Sequence, residues 1–215
     1  MIKVYVVGRA TDYASWIEDY ELVNSIKDAD IVMFTGGEDV DPQMYGMKKH
    51  PTTWSNIRRD EAEKEVFDSI PSDKLVVAIC RGSQFVCVMN GGILVQDCYN
   101  HAIGGVHMIT NEKGEEYPIT STHHQMQCPY WMNPEHYKIL YWASPSLSYK
   151  YAGFCPEGQL WKHWDKSWVE PEIVEYHVPG KPVCIGIQGH PEMMDKEQYP
   201  ETINMLNNLI KSYLK

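Results

Sequence analysis

A chain of 215 residues can build one sizeable hydrophobic core, so a single domain spanning 1–215 is the default expectation. A hydrophobic fraction of 43% with 22% charged residues excludes a disordered or fibrous chain. The formal net charge of -10 offers no basic face for a phosphate backbone, and no run approaches the roughly 20 apolar residues of a bilayer span, so neither nucleic acid nor membrane is an expected partner.

The N-terminal MIKVYVVG reads as a buried strand ending at Gly8 rather than as a signal peptide, and a cytoplasmic location is the expectation. Ala10 to Asp30 admits two readings: a helix with Ser15 and Glu18 as capping box and Leu22, Val23 and Ile26 on its face, or a short strand at Tyr20 to Val23. Ile31 to Phe34 is a strand that runs into Gly36-Gly37, where the missing Cβ atoms let backbone approach a ligand. Asn56 to Ile70 suits a surface helix, with Ala62, Val66, Phe67 and Ile70 facing the sheet and Pro71 closing it. Leu75 to Ile79 is an apolar strand stopping at Cys80-Arg81-Gly82, and a helix from Ser83 to Asn90 ends at Gly91-Gly92.

Ile93 to Val95 is a further strand, and Val106 to Thr110 with Tyr117 to Thr122 flank a polar glycine turn, which predicts a hairpin. Tyr137 to Ala143, Pro171 to Val178 and Val183 to Ile187 read as strands, and Lys196 to Leu214 as a closing helix. Ser144 to Val169 is aromatic-rich and aperiodic; Trp161, Trp164 and Trp168 suit a lid or core edge at least as well as a binding platform. Strands alternating with helices predict an α/β domain with a mostly parallel open sheet flanked by helices and an added antiparallel hairpin.

Ligands in such sheets bind outside the carboxyl ends of the strands, where Gly36-Gly37, Cys80 and His190 all lie. A thiol on a strand-to-helix turn sits at a helix N-terminus, which favours the nucleophilic thiolate. Thiol catalysis also needs a base and a group that orients it, and His190 and Glu192 fill those roles across Pro191. The backbone amides of Arg81 and Gly37 are the natural oxyanion donors. Each feature alone has a bland reading, a core thiol, a structural histidine or a turn; their combination on the strand ends of one domain favours chemistry. The six cysteines (Cys80, Cys87, Cys98, Cys128, Cys155, Cys184) show no CxxC pair and are read as reduced, mostly core thiols. His123 and His124 are adjacent and would face opposite sides of a strand, so no metal site is expected from them, and no P-loop or GxGxxG suggests a cofactor.

These residues resemble the class I glutamine amidotransferases, and among them the peptidase C26 branch that includes γ-glutamyl hydrolases and γ-glutamyl-γ-aminobutyrate hydrolases. The nucleophile motif stands as Ala78-Ile79-Cys80-Arg81-Gly82-Ser83-Gln84 and the distal motif as Gly189-His190-Pro191-Glu192. Branch details are Gly36 to Pro42 with Tyr45, Arg59-Asp60 with Glu63, Gly91 to Asp97, and Ser121 to Gln125. Ala78 replaces the usual first glycine, and Thr35 stands where many relatives have proline.

The resemblance implies a flavodoxin-like fold, a Cys80-His190-Glu192 triad and a γ-glutamyl thioester on Cys80 that water releases as glutamate. It also gives Gln84 and the segment with Ser121, His123, His124 and Gln125 to the glutamyl end of a small-molecule substrate, with no cofactor. Two other readings stand beside hydrolysis: a glutaminase subunit that hands ammonia to a separate synthase partner, and an inactive binding module on the same fold. Oligomeric state and leaving amine are not legible.

Overall fold

Apolar side chains at every position of Ile31–Phe34 and Leu75–Ile79 leave no wet face, so both segments become central strands. A computed structural model describes residues 1–154 and 164–214. In chain order it contains β1 (Ile2–Val6), β2 (Tyr20–Leu22), β3 (Ile31–Phe34), α1 (Ile57–Ser69), β4 (Leu75–Ile79), α2 (Arg81–Met89), β5 (Ile93–Val95) and β6 (Asp97–Cys98). Then come β7 (Val106–Thr110), β8 (Glu116–Thr120), β9 (Met126–Cys128), β10 (Tyr137–Ala143), β11 (Tyr151–Ala152), β12 (Pro171–Tyr176), β13 (Val183–Ile187) and α3 (Pro200–Lys211).

Nine strands form one sheet in the order β2-β1-β3-β4-β13-β12-β10-β7-β8. The half from β2 to β13 is parallel, and from β13 outward every pairing is antiparallel. The expected β7–β8 hairpin forms, but it is the rim of a longer antiparallel wing rather than the whole of it. Alternation along each central strand sends Ile31, Met33, Val77 and Ile79 to one face, beneath Trp16, Ile17, Ile203 and Leu206. Val32, Phe34, Val76 and Ala78 go to the other, beneath Phe67 of α1 and Phe85 of α2. Helices on both faces complete the α/β layering.

Of the two readings of residues 10 to 30, the strand is the one that forms. β2 closes the open edge of β1, with Ile2 N–H donating to Asp19 O at 2.7 Å and Val23 N–H to Val4 O at 3.0 Å. Backbone groups on an edge strand need partners, and that need outweighs the weak helical period. Trp164 and Trp168 pack on Tyr151 and Tyr130, with stacked rings 4.2 and 4.4 Å apart, which makes them a core edge; Trp161 and Cys155 lie outside the described residues. No helix among the described residues is long and apolar enough to cross a membrane.

One close approach sets the position of α2. A Cβ on Gly82 would lie 2.6 Å from the Phe34 carbonyl oxygen, so only glycine lets the helix start sit on β3. Gly82→Ala is expected to lower the urea midpoint by the equivalent of about 1–3 kcal/mol with an unchanged m-value, as overpacking does. An unchanged midpoint would mean that α2 and β3 part freely.

Candidate active site

β4 ends at Ile79, and Cys80 N–H donates to Ile187 O at 2.8 Å, which holds the next residue onto the sheet. The chain then turns sharply: Cys80 has φ 51° and ψ -111°, a conformation that costs a residue with a Cβ about 1–3 kcal/mol. Its carbonyl accepts from Ser83 N–H at 3.0 Å, Gln84 N–H at 3.2 Å and Ser83 Oγ at 2.7 Å, so α2 begins at once. The other described thiols are core groups, as their sequence context suggests: burial pushes Cys87 up to about 11 and Cys184 up to about 12.

β13 runs parallel to β4 with Ile187 opposite Ile79, so the chain after each strand emerges at the same sheet edge. His190 N–H donates to Thr120 Oγ1 at 2.6 Å, which fixes its backbone. Its ring Nδ1 lies 2.6 Å from Glu192 Oε1, leaving Nε2 for the Cys80 sulfur that also contacts the ring. Burial works against a charged imidazole here, but the hydrogen bonds to Cys80 and Glu192 outweigh it and bring His190 up to about 10. Tyr13 covers the pair with its ring centre 6.0 Å from that of His190. Burial, then Glu192 and Cys80, push its phenol up to about 12, so it stays a neutral hydroxyl. Gly36 packs beneath both, since a Cβ there would lie 2.7 Å from the Tyr13 hydroxyl and 3.0 Å from His190 Cε1.

The amides of Arg81 and Gly37 donate to no acceptor among the described residues. Their placement comes from a buried ion network. Arg81, 1% exposed, pairs with Asp60 and Glu63 of α1, and Arg59 pairs with Glu63 at 2.8 Å and Glu38 at 2.7 Å. Arg59 also donates to Gly36 O at 2.9 Å, and Asp60 accepts from Asp41 N–H at 2.9 Å. Gly37 itself has φ +141° and lies flat against the Arg59 guanidinium, where a Cβ would come within 2.1 Å of Nη1. A cavity of about 750 Å³ opens beside this turn, lined by Glu38, Trp54, Ser55, Asn56, Ile57 and Arg58.

Gln84 lies one helical turn below Cys80 and donates to Gln125 O at 3.0 Å. Ser121 is buried, Gln125 donates to Thr53 Oγ1 at 3.1 Å, and neither the Ser121 hydroxyl nor Gln125 Oε1 has a partner among the described residues. The adjacent histidines diverge. His124 is partly exposed, 3.0 Å from Asp39, whereas His123 is buried against His101 and Glu172. Tyr13 and Thr120 carried no signal in the sequence: Tyr13 lies in the ambiguous segment, and Thr120 acts through one long-range hydrogen bond.

A strained cysteine between a parallel strand and a helix, with a histidine on the neighbouring strand end, defines the class I glutamine amidotransferase-like fold. Solved structures agree on that fold. The chain aligns over 99% of its length with 94% of a GMP synthase component from Thermoplasma acidophilum, at a TM-score of 0.60 and 15% identity. With PurLQS from Thermotoga maritima the coverage is 100% of both chains, the TM-score 0.58 and the identity 14%.

Residues 14–130 match the family model described as Peptidase C26, and the chain belongs to that family. It is 29% identical over 143 residues to Protein NtpR of Enterococcus hirae, covering 62% of this chain and 59% of that protein. It is 34% identical over 70 residues to the glutamine amidotransferase-like YvdE homolog of Lactococcus lactis subsp. cremoris, covering 32% and 37% respectively. The matched region therefore spans less than two thirds of either curated relative.

The strain at residue 80 is measurable without the thiol. Cys80→Gly is expected to be more stable than Cys80→Ala by about 1 kcal/mol, because alanine keeps the Cβ penalty at positive φ and glycine does not. Equal chemical-denaturation midpoints for the two variants would show that the turn is unstrained.

Proposed function

We propose that the chain is a cysteine-dependent hydrolase of γ-glutamyl amide bonds, in glutamine or in a γ-glutamyl conjugate. The observation that carries the proposal is the His190 imidazole held between the Cys80 sulfur and the Glu192 carboxylate. His190 carries the proton that the thiol gives up, the Cys80 sulfur attacks the γ-carbonyl carbon, and the oxyanion forms against the Arg81 and Gly37 amides. The same imidazole gives the proton to the leaving amine as the C–N bond breaks, and a γ-glutamyl thioester remains on Cys80. Water, deprotonated by His190, then attacks the thioester; the C–S bond breaks, glutamate leaves and the thiol regains its proton. Glu192 orients the ring and balances its charge throughout. Gln84 and the Ser121 to Gln125 segment hold the glutamyl end, and the cavity beside Glu38 and Trp54 takes the leaving amine.

A second reading keeps this chemistry and passes the ammonia to a synthase partner. The likeness to a GMP synthase component favours it. Stimulation of glutaminase turnover by a co-purifying partner would support that reading, and high activity of the isolated chain on a larger γ-glutamyl amide would support free hydrolysis.

Cys80→Ala and Cys80→Ser are expected to lower glutamate release by at least about a thousandfold across glutamine, γ-glutamyl dipeptides, γ-glutamyl polyamines and folyl polyglutamate. Equal release by wild type and Cys80→Ala would sink the assignment. The pH profile tests the acid role of His190. Its folded value near 10 lies above the ordinary value of about 6.5. The stability that its charge contributes is therefore complete below about 6.5 and lost as pH rises through about 10. Glutamate release should fall over that same upper range, and Glu192→Gln should move the fall to lower pH. A profile that Glu192→Gln leaves in place would count against the orienting role of Glu192.

A further inference from the structure

Away from the Cys80–His190 pair, the antiparallel wing buries a second cluster of titratable side chains, of which only His123 falls in the segment given to the substrate. His101, His107, His123 and Glu172 are all under 9% exposed, and Glu172 and His101 are wholly buried. His101 comes from the loop before β7, His107 from β7, His123 from the segment after β8 and Glu172 from β12. Three of their atoms converge. His101 Nδ1 lies 3.1 Å from Glu172 Oε1 and 3.2 Å from His123 Nε2, and His123 Nε2 lies 3.4 Å from the same carboxylate oxygen.

The outer ring nitrogens of His101 and His123 turn away from this meeting point. His123 Nδ1 lies 2.9 Å from Gln125 O, and because a carbonyl can only accept, the ring proton sits on Nδ1 and Nε2 carries a lone pair. His101 Nε2 faces Glu170 Oε2 at 3.1 Å, which favours a proton on Nε2 and leaves Nδ1 as the inward atom. His107 Nε2 lies 3.0 Å from Glu172 Oε1, and Glu172 Oε2 has no hydrogen-bond partner among the described residues. The inward atoms of His101, His123 and Glu172 are thus the three that can share one cation.

We propose that His101 Nδ1, His123 Nε2 and a Glu172 carboxylate oxygen form a buried binding site for a divalent transition-metal ion of the zinc class, with His107 orienting Glu172. The spacing fits, because metal–ligand bonds of about 2.0–2.1 Å at tetrahedral angles put ligand atoms about 3.3 Å apart. The outer shell fits too: each imidazole presents its far nitrogen to a carboxylate or a backbone carbonyl, the usual way a protein fixes the tautomer of a metal-bound histidine. This assigns His123 to the metal rather than to the substrate. The adjacent pair His123 and His124 cannot share one metal, but the partners of His123 lie 22 residues before it and 49 after it. The ion would tie the segment after β8 to β12. Through Gln125 O, which faces both His123 Nδ1 and Gln84 Nε2, it would stiffen the side of the site nearest α2.

The test is metal content of the full chain. Wild-type protein produced in zinc-supplemented medium and purified without chelator is expected to carry about one equivalent of metal per chain by elemental analysis. Chelator treatment should lower its melting temperature, and added Zn²⁺ should restore it; Co²⁺ added instead should give the intense visible absorption of a tetrahedral N/O site. His101→Asn and Glu172→Gln should lose the equivalent, while the exposed control His177→Asn keeps it. Substitutions in a buried cluster can unfold the chain, so the wild-type measurements decide. Wild type holding less than about a tenth of an equivalent, with melting unmoved by Zn²⁺, would mean that a proton alone holds the cluster and would overturn the proposal. Metal retained by well-folded His101→Asn and Glu172→Gln would overturn it equally, since the ion would then lie elsewhere.

Discussion

The arrangement of the candidate active site depends on one buried electrostatic constraint, the pairing of Arg81 with Asp60 and Glu63. Burying a guanidinium and two carboxylates costs several kcal/mol per ion before attraction offsets it, so such a network is weak evidence of net stability. Its effect is geometric. Arg81 follows Cys80 directly, and its side chain, at 1% exposure, is drawn down onto α1, so the residue cannot rotate without stranding a charge. Glu63 is shared with Arg59, and Arg59 reaches Gly36 O and Glu38 on the far side of the site. The residues that carry the two candidate oxyanion amides are therefore tied to one rigid body built on α1. Neither is placed by its own loop alone.

That rigid body meets a second constraint, the register of β4 and β13. Ile79 lies opposite Ile187, and Cys80 N–H donates to Ile187 O, so the turn at residue 80 is bonded to the strand that delivers His190. β13 is parallel to β4 on one side and antiparallel to β12 on the other, which makes it the seam of the sheet. The unfavourable φ at Cys80 persists because the strand, the helix and the Gly82–Phe34 contact over-determine it. Two large apolar faces supply the stability that holds this strain in place.

How much of this was legible in the sequence follows from how local each signal is. Unbroken apolar runs at Ile31–Phe34, Leu75–Ile79 and Val183–Ile187 marked the central strands, and the residues just past their ends marked the site. The turn chemistry of Asn111 to Glu116 marked the β7–β8 hairpin. What escaped was non-local. β2 is a strand because β1 has an open edge, which no window over residues 10 to 30 can reveal. Tyr13 and Thr120 reach His190 across 177 and 70 residues of sequence. Arg59, Asp60 and Glu63 were visible as a pattern, but Arg81, which pairs with Asp60 and Glu63, lies on another helix.

The two polar clusters also explain why the Ser121 to Gln125 segment has a fixed shape without being a helix or strand. Ser121 N–H donates to Gly105 O at 3.1 Å, and His123 N–H to His101 O at 3.0 Å, so backbone satisfaction comes from the loop that carries His101. The side chains then alternate: His123 turns inward to Glu172, His124 outward to Asp39 and Asp97, and Gln125 inward to Thr53. Asp39 belongs to the loop that Arg59 and Asp60 anchor at Gly36 and Asp41, so His124 couples this segment back to the first cluster. The rim of the site is thus closed into a ring of polar contacts from Arg81 through α1, the Gly36 loop and Ser121 to Gln125, and back to α2 at Gln84. In such a ring a change at one member shifts the others, and the apolar sheet beneath gives it no freedom to relax.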